Sequence, residues 1–127
     1  MLHHLFILVE ESGISIGNLN LSDEKLDDIE VDLLSSSIKG IIDFFNSTPF
    51  GEIDTFQFMD KSMKIIRKNI LLFALVYDKG TNMNFYNPKL EIIAEMFENS
   101  IDWCKWYGNI SQFKDLLEEA KHILLET

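Results

Sequence analysis

Ile70-Leu71-Leu72-Phe73-Ala74-Leu75-Val76-Tyr77 is apolar at every position. A half-buried strand would alternate, and a helix would need a longer run than Asn69 and Asp78-Lys79-Gly80 allow. The stretch therefore reads as a strand buried on both sides, at the centre of a sheet covered on both faces. The remainder of the chain has to supply strands on either side of it and helices above and below.

The flanking sequence does so. Met63 to Lys68 is strand-like, with Ile65 and Arg67 opposed to Ile66. Ile53 to Met59 places Phe56 and Phe58 on one side and Thr55 and Gln57 on the other, and Asp60-Lys61-Ser62 turns the chain between the two runs. At the start, His3 to Glu10 is an apolar strand and Glu11-Ser12-Gly13 a turn. Ile14 to Leu21 then alternates, with Ile14, Ile16, Leu19 and Leu21 inward and a bulge expected at Gly17. Helical spacing predicts a helix from about Asp32 to Ser47, capped by Asp32 and packed through Leu33, Leu34, Ile38, Ile41, Ile42 and Phe45. Gly40 in its middle costs up to about 1 kcal/mol against alanine, which a close approach to a sheet or a partner would offset. Pro49 and Gly51 stop it. Asn87-Pro88 reads as the start of a second helix reaching Gly108, with Ile93, Met96, Phe97, Ile101 and Cys104 on its buried stripe. Ser111 or Asn109 caps a last helix carrying Phe113, Leu116, Leu117, Ala120, Ile123 and Leu124. The reading is an α+β fold: a five-stranded, largely antiparallel sheet, one helix between strands 2 and 3, and two C-terminal helices.

Composition narrows the function. A chain of 127 residues with 46% hydrophobic and 25% charged residues is expected to form a single domain, 1–127, without a metal or disulfide staple. The one cysteine, Cys104, excludes an internal disulfide. Met1 to Val9 has no basic n-region and reads as a core strand, and the longest apolar run is too short to span a bilayer. A cytoplasmic protein with no membrane insertion is expected. A net charge of −10 disfavours nucleic acid. The charge divides into an acidic stretch (Asp23, Glu24, Asp27, Asp28, Glu30, Asp32) and a basic one (Lys61, Lys64, Arg67, Lys68), read as solvated faces, of which either could steer a partner.

No phosphate-cradling loop, dinucleotide fingerprint, C-x-x-C or H-E-x-x-H occurs. His3 and His4 lack ligands at metal spacing and are read as a terminal strand with one histidine exposed. His122 has no evident partner, and Cys104 on an apolar stripe is read as a buried small hydrophobe. No catalytic, cofactor or metal residues are proposed. Trp103, Trp106, Tyr107 and Phe113 are read chiefly as core, with a surface anchor as the alternative. Phe85 and Tyr86 are similar candidates.

Three segments carry a resemblance: LFILVEESGISIGNLNL, DLLSSSIKGIIDFFNSTPF and DTFQFMDKSMKIIRKNILLFALVYDKG. Their order, over roughly residues 5 to 105, resembles longin domains and, allowing for a missing first helix, roadblock domains, above all the small free-standing archaeal ones. The resemblance implies sheet order 2-1-5-4-3 and no enzymatic activity. It implies a homodimer, or a pair with a related longin or roadblock domain, that serves a small Ras-like GTPase or membrane trafficking. In such pairs the third strand and the adjacent helix meet across a two-fold axis, which would bring Ile42, Phe45, Phe50, Thr55 and Gln57 to the interface. The competing reading is a profilin-like or PAS-like small-ligand sensor. That needs a cavity between sheet and helices, which the bulky Phe and Ile residues are expected to fill.

Overall fold

The computed structural model describes residues 1–126. The elements run β1 (Leu2–Val9), β2 (Ser15–Asn20), α1 (Asp28–Asn46), β3 (Thr55–Phe58), β4 (Lys61–Lys68), β5 (Leu71–Asp78), α2 (Met83–Glu98), a 3-10 turn (Ser111–Phe113) and α3 (Lys114–Leu125). All pairings are antiparallel and the sheet order is β2-β1-β5-β4-β3. The apolar strand β5 lies in the middle, as its composition requires. Leu71, Phe73, Leu75 and Tyr77 face one layer, built with α2 and α3. Leu72 and Ala74 face the other, under α1. Each buried leucine or phenylalanine among them contributes roughly 1.5–3 kcal/mol.

The β1–β2 pairing slips between Ile7 and Leu8, which face Gly17 and Ser15. Ile16 is thus the extra residue of a bulge beside the expected position. It turns inward with Leu19 and Leu21, while Ile14 is left exposed rather than buried. Gly17 is pressed by α3: a Cβ there would lie 2.6 Å from a methyl of Leu117.

α1 begins a turn earlier than its spacing suggested. The Glu30 N–H donates to the Asp27 carboxylate (2.8 Å) and the Asp27 N–H to the Glu30 carboxylate (3.2 Å). This reciprocal cap competes successfully with Asp32, because it satisfies two orphan donors at once and sets acidic groups against the positive helix end. Half of the acidic stretch is therefore helix rather than connection. The inner stripe is Val31, Ser35, Ile38 and Ile42. Leu33, Leu34 and Phe45, expected inward, are exposed, because the apolar arc of α1 is wider than the sheet it covers.

α2 also starts early, at Met83, with the Asn82 side chain accepting from the Asn84 N–H. Pro88 lies inside the helix as its sixth residue, past the open first turn, so the Asn84 carbonyl loses its i+4 donor. α2 stops at Glu98, well short of Gly108. The chain then folds back: the Trp103 indole N–H donates to the Phe97 carbonyl (3.0 Å) and its ring stacks on Phe113 at 5.3 Å. Cys104, beyond the helix end, is exposed rather than buried. Tyr107 points to solvent, while Trp103 and Phe113 are core.

Candidate functional site

β3 is four residues long and is paired on one side only. The Ile65 N–H donates to the Asp54 carbonyl at 2.8 Å. Antiparallel partners alternate between hydrogen-bonded and open pairs. Phe56 and Phe58, opposite Met63 and Lys61, therefore spend their backbone groups on β4, and Thr55 and Gln57 turn theirs outward. The outer edge offers two donors and two acceptors from those two residues. Nothing blunts it except its shortness: it carries neither a proline nor a charged side chain.

Large apolar side chains surround this edge. Phe44 and Phe45 on α1 are exposed, as is Phe58, while Phe50 is 87% and Met59 92% exposed. A groove of about 520 Å³ runs between α1 and the segment preceding β3, with Ile41, Phe45, Phe50, Ile53 and Phe56 on its walls and Thr55 at its end. The frame is tied down by charge. Arg67 donates from Nε to Glu10 (2.8 Å) and from Nη1 to the Ile53 carbonyl (3.2 Å), and Nη1 lies 3.6 Å from Glu52. Lys64 donates to both Asp54 oxygens at 2.7 and 2.8 Å. That bond, more than the surrounding charge, holds the Asp54 carboxyl below its ordinary pKa. Two of the four residues of the basic stretch, Lys64 and Arg67, thus fix this corner, while Lys68 faces Glu95 and Glu98 on α2.

Of the residues expected at an interface, Phe45, Phe50, Thr55 and Gln57 are exposed around the groove and edge. Ile42 is not: at 1% exposure it packs in the core beneath α1 and supports the surface from below. Phe44, Phe58 and Met59 were missed. Met59 belongs to the turn itself, since Phe58 pairs with Lys61, so the turn is Met59-Asp60 rather than Asp60-Lys61-Ser62. Its φ of +42° is in the region that favours glycine. A signal for Phe44 lay in its neighbour Phe45: two adjacent phenylalanines cannot both face inward on one helix.

A second concavity lies on the same side of the sheet, at the other end of α1. It is an open cleft of about 330 Å³ between the first turns of α1, the 24–26 segment and the ends of β1, β4 and β5. Phe6, Leu26, Leu34, Met63 and Val76 give it apolar walls, so the bulky side chains do not fill all the space between sheet and helix. Neither histidine of β1 is exposed as expected. His3 Nε2 lies 2.6 Å from Asp78 Oδ1, and this bond is the main cause that lowers the Asp78 pKa. His4 is 3% exposed on the cleft wall, and its Nε2 lies 2.9 Å from the Asn18 amide oxygen.

Among the described residues no group of three or more His, Cys, Asp or Glu side chains is placed to hold a metal ion. No described helix is long and apolar enough to cross a membrane. The chain matches no family model and no curated protein sequence.

Proposed function

We propose that this chain is a non-catalytic interaction module of the longin and roadblock kind, acting in the cytoplasm as a pair. It joins a second copy, or a related domain, through β3 and the flank of α1, and the pair serves as a platform for a small Ras-like GTPase or a trafficking component. The observation that carries this reading is the unpaired β3 edge set among exposed aromatic side chains.

The pairing geometry follows from the edge. A two-fold axis perpendicular to the sheet keeps each face on its own side, so opposed residues must share a face. Setting Thr55 opposite Gln57 of the second copy uses every outward backbone group of the strand, and Phe56 then meets its own counterpart at the axis. The two α1 helices come to lie on one side, with Phe44, Phe45 and Phe50 between them. A standard interface of roughly 1,600 Å² accommodates this contact, and buried aromatic anchors dominate the energy of such interfaces.

Light scattering at low micromolar concentration should give the mass of a dimer. Thr55→Lys combined with Gln57→Lys should give a folded monomer, and Phe50→Glu should weaken pairing by at least about 2 kcal/mol. A wild-type monomer at these concentrations, or a dimer indifferent to all three changes, would overturn the edge interface. Capture of a small GTPase in both nucleotide states supports a scaffold, and capture only of the GTP form supports an effector. Failure to bind any GTPase from the source cell removes that part of the reading.

A further inference from the structure

The outer face of α1 carries an apolar row that neither the sheet nor the β3 edge covers. Ile29 and Leu33 are 72% and 64% exposed. Gly40 and Phe44 continue them at helical spacing, on the side away from the buried stripe of Val31, Ser35, Ile38 and Ile42. The row runs for about 22 Å along the helix axis. Its middle is low: Ser36, Ser37 and Gly40 are exposed, and a Cβ on Gly40 would meet nothing within 4 Å. Large side chains at the two ends and small ones between them form a saddle in which another helix can pack at close range. Phe44 is shared with the pairing surface, whereas Ile29, Leu33 and Gly40 are not.

The charge beside the row decides what kind of helix fits. The one basic side chain of α1, Lys39, donates to Asp43 at 2.8 Å. Among the described residues no lysine or arginine comes within ion-pair distance of Asp23, Glu24, Asp27, Asp28, Glu30 or Asp32. The positive helix end accounts for Asp28 and Glu30, but its effect fades beyond the first turn. Asp32 lies past that turn and one turn from Asp28, where like charges repel. An apolar row rimmed by carboxylates without cations is complementary to an apolar stripe with basic flanks. A second copy of α1 brings the same carboxylates and a lysine already engaged, and an anionic membrane would repel them.

We propose that the outer face of α1 docks a basic amphipathic helix of a partner protein. The apolar anchors of that helix sit over Ile29, Leu33 and Gly40, and its lysine or arginine side chains face Asp28 and Asp32.

The test uses three fluorescent peptides of about 18 residues, long enough to form a helix on docking. The first has leucines at i, i+4, i+7 and i+11 with lysines on both flanks of that row. The second has glutamates in place of the lysines, and the third is the first in scrambled order. Anisotropy titrations against the full chain are expected to show saturable binding of the lysine peptide and none of the glutamate peptide. The scrambled peptide should bind at least about tenfold more weakly. Amide resonances of the isotope-labelled chain should shift chiefly over residues 29–40. Asp28→Asn combined with Asp32→Asn should weaken the lysine peptide about tenfold. Gly40→Gln keeps the net charge and suits a helix better than glycine, so the chain should stay folded while the filled saddle weakens binding about tenfold. Leu33→Ser, which removes an exposed anchor, should do the same. Absence of saturable binding, equal binding of the ordered and scrambled lysine peptides, shifts centred on β3, or indifference to both Gly40→Gln and Leu33→Ser would each overturn the proposal. The lysine peptide should shift the same residues in the Thr55→Lys, Gln57→Lys double variant, so failure of strand pairing and failure of this surface are told apart.

Discussion

Met59 combines two features that a folded monomer gains nothing from. It is a large apolar side chain left almost wholly in water, and its backbone is held at φ +42°. A left-handed conformation costs a non-glycine residue roughly 1–2 kcal/mol. Glycine would remove the strain at the expense of a more flexible unfolded chain, a penalty of about 0.4–1 kcal/mol. Met59→Gly is therefore expected to raise monomer stability by about 0.5–1 kcal/mol. If the tip contributes to pairing, the same change should weaken the dimer. Urea unfolding of the double-lysine monomer measures the first effect and a dilution series of the dimer the second. A stability loss in the monomer would show that Met59 packs within its own chain.

At the level of elements, α1 is the least expected and most informative part. Gly40 looked like a site of close approach, yet a Cβ there would find nothing within 4 Å. Gly40→Ala should accordingly stabilise the monomer by about 1 kcal/mol, read as a shift in the urea midpoint. Should the same change split the dimer, the partner helix uses that space. The strands were legible because their signal is local: β5 is apolar at every position, and Phe56 and Phe58 alternate with Thr55 and Gln57. Helix ends were not, because several residues compete to cap them. Asp27 with Glu30 outdid Asp32, and Asn82 outdid Asn87. Nor does periodicity say how far across a helix the sheet extends, so Leu33 and Phe45 were placed inward. The folding back of Trp103 onto Phe97 and Phe113 depends on contacts across a loop that no spacing rule reports. Alternation put Thr55 and Gln57 on one side of a strand, but that this strand is an edge came from the resemblance, and the cleft could not be read at all. It arises from what α1 fails to cover.

The whole molecule should lose stability in acid first through His4 and then through two carboxylates. His4 has a folded pKa below its unfolded value near 6.5, so protons bind the unfolded chain more readily. The stability linked to this group is complete above about pH 6.5 and is lost as pH falls toward the folded value, with no further loss below it. Asp54 and Asp78 also have folded pKa values lowered from 3.8, by the bonds from Lys64 and His3. Their contribution is present above that value and is lost only as pH falls through the still lower folded values. Urea midpoints measured between about pH 7.5 and about pH 5 should fall for the wild-type chain. They should stay level over the same interval for His4→Phe, which removes the titrating ring but keeps its volume beside Phe6. Equal slopes for wild type and His4→Phe would mean that the loss comes from elsewhere in this chain of net charge −10.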